Sequence, residues 1–136
     1  MGSWLITLPC VAPSLNRALG AHWAARSRLQ RDWFWVLRAA ATHVPKAEGF
    51  RTVTITRYGH GRLDMDNLAG AHKFVVDLLR APRVETLRAG RTRRRIGLGL
   101  IVDDSPDHVR VVYQQAPVPR SEPVRTEILI EDGGAP

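Results

Sequence analysis

Lysine is almost missing from this sequence. Of its 20 basic residues 18 are arginine, and only Lys46 and Lys73 are lysine. The bias itself carries no mechanism, since base composition alone can produce it. It does draw attention to a lysine inside a motif, because a compact ammonium and a planar guanidinium do different chemistry. Cysteine is scarcer still. Cys10 stands alone, which excludes an intramolecular disulfide, and no Cys/His cluster has the spacing of a zinc site. The histidines (His22, His43, His60, His72 and His108) also lack ligand spacing and read as surface or core residues. Long apolar runs are absent too. Trp4–Val11 is apolar but short, and no basic segment precedes it, so it does not read as a signal peptide. No run approaches the length of a membrane span. These absences lead to the expectation of a cytoplasmic protein.

Acidic residues are in deficit, 13 against 20 basic, giving a net charge of +7 and a pI near 10.9. A domain this basic commonly meets a polyanion, nucleic acid above all. The same charge could serve solubility alone. The chain has 136 residues, 44% hydrophobic and 24% charged, which fits one soluble domain with one core, spanning 1–136.

Periodicity supplies the elements. Trp4–Leu8 reads as a strand ended by Pro9, and Pro13–Arg17 as a loop. Ala24 to about His43 reads as a helix with Leu29, Trp33, Val36, Leu37 and Ala40 on one face, stopped by Pro45. Trp33, Phe34 and Trp35 are consecutive, and one helix cannot bury all three against its own core. Arg51–Arg57 alternates Val53 and Ile55 with threonines, as a half-buried strand does. A second helix is predicted from Asn67 to Arg80, and two more strands over Val109–Tyr113 and Arg125–Ile130. The ordered core spans about 4–130, and the tail from Asp132 to Pro136 is expected to be disordered. The order predicts an α+β domain, a mixed β-sheet with two main helices packed on it. Between the second helix and the next strand, Arg83–Gly97 carries six arginines opposed only by Glu85. It reads either as a solvated loop or as a phosphate-contacting arm using Arg91, Arg93, Arg94 and Arg95.

The acids are grouped. Leu63-Asp64-Met65-Asp66-Asn67-Leu68 sets two aspartates two residues apart before a helix. In an extended segment both would point to one side, where a hard cation such as Mg²⁺ relieves their repulsion. Alternatively Asp66 or Asn67 simply caps the helix. On a helical wheel Asp66, Gly70, Lys73 and Asp77 fall within roughly 60° of one another. Leu68, Ala71, Val75, Leu78 and Leu79 take the opposite, core-facing side. Lys73 and Asp77 also form an ordinary i,i+4 ion pair. A second acidic pair, Asp103 and Asp104, ends the strand-like run Leu100-Ile101-Val102 and could equally belong to a turn. If this end meets the helix start, three or four carboxylates converge inside a basic surface, which is the layout of a phosphodiesterase site.

Taken together, these motifs resemble a family. Asp64-Met-Asp66-Asn67-Leu68, the helical Lys73 and Asp77, and Gly99-Leu-Ile-Val-Asp103-Asp104 are similar to the motif set of the RusA-type Holliday junction resolvases. Ile6-Thr-Leu-Pro9, Pro13-Ser-Leu-Asn16-Arg17, His22-Trp23, Tyr113-Gln-Gln and Val124–Ile130 resemble phage and prophage members. The likeness runs from about Trp4 to Ile130, with Arg83–Gly97 longer than is usual in the family. It implies a homodimer in a bacterial or phage-infected cytoplasm that cuts four-way DNA junctions with Mg²⁺ or Mn²⁺. Asp64, Asp66 and Asp104 would be the essential carboxylates and Lys73 the catalytic lysine, with Asp103 a further candidate metal ligand. Asn16, Arg17 and Asn67 would join the arginine segment in holding DNA. A nuclease for flaps or forks, or a non-catalytic DNA-binding module of the same fold, are the competing expectations.

Overall fold

The alternation seen in the sequence becomes a sheet with one face covered. A computed structural model describes residues 1–14 and 23–134. The order is β1 (Ser3–Leu8), α1 (Trp23–Ala40), β2 (Arg51–Tyr58), α2 (Met65–Ala71), α3 (Lys73–Leu79), β3 (Arg83–Thr86), a 3₁₀ turn (Arg88–Gly90), β4 (Thr92–Arg95), β5 (Val109–Gln115) and β6 (Arg125–Asp132). The main sheet runs β1-β6-β2-β5. β6 is antiparallel to both of its neighbours, whereas β2 and β5 are parallel. The chain is therefore α+β with a mixed sheet, as expected. Among the described residues no helix is long and apolar enough to cross a membrane.

Every second residue of the central strands is buried: Val53 and Ile55 from β2, Ile128 and Ile130 from β6, joined by Ile6 and Leu8 from β1. α1 brings Trp33 and Leu37 to this surface, and α3 brings Val75, Val76, Leu78 and Leu79. The two helices meet where Trp33 packs edge-on against Phe74, ring centroids 5.3 Å apart. A parallel pair needs a crossover, and that between β2 and β5 carries α2, α3 and the β3–β4 hairpin.

Several expectations are corrected. The single helix over 67–80 is two helices broken at His72, beginning earlier than predicted, at Met65. α1 ends at Ala40, and Val36 lies on its open side at 39% exposure. Arg83–Gly97 is a two-stranded hairpin, not a loop. The run Leu100–Val102 makes one isolated bridge, Arg80 to Ile101, and no strand. Asp132, expected in a disordered tail, is the last residue of β6 and is ion-paired.

That ion pair belongs to a buried cation. Arg51, 3% exposed, lies in the inward row of β2. Its Nε donates to Asp132 Oδ1 at 2.9 Å, and its Nη1 donates to the carbonyls of Pro45 and Leu100 at 2.8 and 2.9 Å. The Trp4 ring covers its guanidinium at 4.9 Å. Removing the donors strands the Pro45 and Leu100 carbonyls, while Asp132 keeps only the Gly2 N–H. Arg51→Met is expected to lower unfolding free energy by on the order of 3 kcal/mol. Urea denaturation followed by tryptophan fluorescence measures this, and a midpoint equal to that of the parent chain would show the network to be dispensable.

Candidate active site

Two aspartates expected at the site begin α2. Asp64 is the helix N-cap: it sits in extended conformation and its Oδ1 accepts from the Asn67 N–H at 2.8 Å. The cap is thus Asp64, not Asp66 or Asn67. The residue before it is clamped to the sheet. Gln115, the last residue of β5, accepts from the Leu63 N–H through Oε1 at 2.9 Å and donates to the Leu63 carbonyl through Nε2 at 2.6 Å. One side-chain amide thus fixes the entry to the Asp64–Asp66 segment. Asp66 is exposed in the first turn, one turn before Gly70 on the same face.

The second acidic pair is held by the end of α3. The carbonyls of Leu78, Leu79 and Arg80 accept from the N–H groups of Leu98, Gly99, Leu100 and Ile101, at 2.8 to 3.1 Å. Gly97 lies so close to the Arg80 carbonyl that any Cβ there would collide with it, and Gly99 takes a φ of +73°. Lys46 Nζ donates to the Leu98 carbonyl at 2.7 Å, so one of the two lysines is structural. The chain then delivers Asp103 and Asp104. Asp103 folds back, its Oδ1 accepting from the Asp104 N–H at 2.8 Å, which holds its carboxyl below the usual range. Asp104 instead turns toward Arg80, Oδ2 to Nη1 at 3.3 Å.

Arg80 also touches Asp77, at 3.5 Å. One guanidinium therefore links two acids from distant parts of the chain. They line a cleft of about 370 Å³ together with Lys73. Ala69 and Gly70 form its small-residue floor, with Val76, Val111 and Tyr113 as apolar walls. Burial, and after it the Asp77 charge, push the Tyr113 hydroxyl pKa up. Lys73 and Asp104 are thus brought together, with Asp103 beside them. Asp64 and Asp66 lie on the helix that leads in, outside the side chains lining the cleft. Asn16 and Arg17 lie outside the described residues. Asn67 is in the first turn of α2, and Arg91, Arg93, Arg94 and Arg95 belong to the hairpin.

Among the described residues no three Asp, Glu, His or Cys side chains stand close enough to hold an ion by themselves. Asp77 and Asp104 share the Arg80 guanidinium, at 3.5 and 3.3 Å, so these two carboxylates could hold a Mg²⁺ only with water and a substrate phosphate completing its shell. They do not form a closed protein cage. Sequence reasoning gave no role to Arg80 and took in Gln115 only within the Tyr113-Gln-Gln motif; the Arg80–Asp104 and Gln115–Leu63 contacts are both long-range. It put Asp77 on the right face without giving it a role.

His72 separates the two helices behind this cleft. Its Nδ1 donates to the Leu68 carbonyl at 2.7 Å, which leaves Nε2 buried without a partner. Burial lowers its pKa below 6.5, opposed in part by that backbone bond and reinforced by the nearby Arg57 charge. The unfolded chain therefore takes up a proton before the folded one. The stabilising effect of the neutral ring is complete above about pH 6.5 and is lost as pH falls toward the folded-state value. Melting temperature followed from about pH 7.5 down to about pH 5 is expected to drop less steeply in His72→Leu than in the parent. Parallel curves would remove His72 as the cause.

No family model matches this chain, and no curated protein matches it.

Proposed function

We propose that the protein is a metal-dependent endodeoxyribonuclease with a RusA-like fold that binds and cleaves four-way DNA junctions. The observation that carries this reading is the cleft, where Lys73, Asp77 and Asp104 come together in a chain of net charge +7. The motif string from Asp64 to Asp104 supports it independently. A basic surface attracts the phosphate backbone, while an acidic cleft repels it unless a cation intervenes. Asp104, with Asp64 and Asp66 as the resemblance implies and Asp77 at the cleft wall, would hold that cation. Mg²⁺ or Mn²⁺ supplies Lewis acidity and a water of lowered pKa. Lys73 is exposed and can pair with a non-bridging phosphate oxygen, stabilising the charge that builds up there. Ala69 and Gly70 leave the helix backbone open to close approach. Asp103 shapes the turn that aims Asp104.

A non-catalytic DNA-binding module is the second reading, favoured by one observation. Arg80 already neutralises both Asp77 and Asp104, as a chain that never recruits a cation would need. A labelled four-way junction, beside a flap and a linear duplex, separates the readings. Paired cuts in the junction are expected with Mg²⁺ and none in excess EDTA. Asp66→Asn and Asp104→Asn are expected to lower cutting by more than about 100-fold while leaving junction binding intact. Activity in EDTA, or undiminished cutting by both variants, would overturn the nuclease reading, and binding without cutting by the parent would establish the module.

Two symmetric cuts need two sites, and among the described residues one chain offers one cleft lined by Lys73, Asp77 and Asp104, so the active species is a two-fold dimer. The consecutive aromatics of α1 separate by burial: Trp33 is 5% exposed, whereas Trp35 is 60% exposed with Phe34 edge-on beside it at 5.4 Å. With Val36 it gives α1 an open apolar patch. Sedimentation at micromolar concentration is expected to give a dimer for the parent and a monomer for Trp35→Glu. A parent monomer that still made paired cuts would refute the dimer.

A further inference from the structure

We infer that Glu85 divides the arginines of the β3–β4 hairpin into a restrained face and a free edge, and that the free edge of Arg88, Arg91 and Arg94 holds the backbone of a DNA duplex. This rests on the DNA-binding part of the proposed function and assigns the contact to particular residues within it.

The register sets the two faces. Arg83 pairs with Arg95 and Glu85 with Arg93, while Val84 pairs with Arg94. Directly paired residues share a face, and successive residues alternate. Arg83, Glu85, Arg93 and Arg95 therefore project together, with Arg94 on the other side. On the first face three guanidiniums converge on one carboxylate. Glu85 Oε1 receives Arg83 Nη2 at 2.9 Å, and Oε2 receives Arg93 Nη2 at 3.0 Å and Arg95 Nε at 3.1 Å. Arg93 and then Arg95 hold the Glu85 carboxyl down to about 2, so the restraint is charged at every working pH. A phosphate arriving there meets a carboxylate already seated in the cradle. It must displace that anion or lie against it.

The other three arginines have no such partner. Arg88, Arg91 and Arg94 are exposed, and none of them pairs with an acid among the described residues. Arg88 and Arg91 flank the tip, where Ala89 and Gly90 reverse the chain at positive φ and the Leu87 N–H donates to the Arg91 carbonyl. Each can spend its whole charge on phosphate. The arm also starts in a useful place. It leaves the body just after Arg80, whose guanidinium touches Asp77 and Asp104, and returns through Gly97 against the Arg80 carbonyl. The base of the hairpin is thus tied to the residue that touches both cleft acids.

Salt dependence tests this, because each phosphate contact contributes about 0.9 to the log–log slope on duplex DNA. Binding to a labelled linear duplex and to a four-way junction is measured in EDTA, so that cleavage plays no part. The full-length parent is compared with Arg88→Ala/Arg91→Ala/Arg94→Ala, with Arg93→Ala/Arg95→Ala and with Glu85→Gln. The triple variant is expected to lose about two to three units of slope, and the double variant less than about one. Glu85→Gln is expected to bind more tightly with a slope steeper by about one, because it frees the cradle for phosphate. A chain with the hairpin replaced by a short linker gives the baseline. Glu85→Gln falling to that baseline would mean that Glu85 only holds the hairpin together, and would overturn the inference. So would equal losses in the double and triple variants, or an unchanged slope in Glu85→Gln. Mg²⁺-dependent cutting with an unaltered slope pattern refutes this inference alone, whereas the expected slopes without cutting refute only the nuclease.

Discussion

A single buried guanidinium joins the parts of the fold that sequence separation keeps far apart. Arg51 gathers the end of β6 through Asp132, the N-terminal strand through Trp4, the turn at Pro45, and the Leu100 carbonyl. A buried charge is tolerable only when its donors are met, and here three of its hydrogen bonds come from three different segments. The Leu100 bond carries the constraint to function. Leu100 lies in the run that closes the end of α3 and leads to Asp104. The position of one cleft carboxylate thus depends in part on a buried cation that bonds the chain four residues before it.

The helix that leads into the cleft is fixed by one long-range clamp and two local bonds. Gln115 clamps Leu63, Asp64 caps α2, and His72 hydrogen-bonds back to Leu68 as the helix breaks. Only the Asp64 and His72 bonds are local; the Gln115 clamp spans 52 residues. The two acidic segments are therefore supported from two directions: the sheet holds the segment of Asp64 and Asp66, which leads to the cleft, and the α3 terminus holds Asp104, which lines it. Arg80 is where the second of these supports meets Asp77. Such an arrangement keeps Asp77 and Asp104 near one another through the Arg80 guanidinium and leaves Lys73 open to solvent.

Much of this was legible in the sequence, for a definite reason. Val53 and Ile55 alternate because β2 buries one face, and Leu68, Val75, Leu78 and Leu79 recur because the helices bury one stripe. The break at His72 was not legible, because the apolar stripe runs through it undisturbed. The hairpin was not legible either. Its strands carry almost no apolar alternation, and its register is marked by Glu85 with three arginines, a pattern that reads equally as a solvated loop. Asp77 and Arg80 could be placed on a helix, but only folding brings Asp104 to them. Gln115 stood in the Tyr113-Gln-Gln motif, just past the predicted strand, and nothing there pointed to Leu63.

The strand order has a consequence for how the protein comes into being. β1 pairs only with β6, and β6 lies between β1 and β2. During synthesis, β1 must wait, unpaired, until nearly all of the described chain has been made. The elements between can form helices and a hairpin, but the sheet that seats Arg51 cannot close without Asp132. Folding is dominated by contacts of long sequence separation, which slows it and leaves strand edges open in the meantime. A nascent chain therefore carries its arginine-rich arm, complete in its local register, before the sheet behind the cleft is finished.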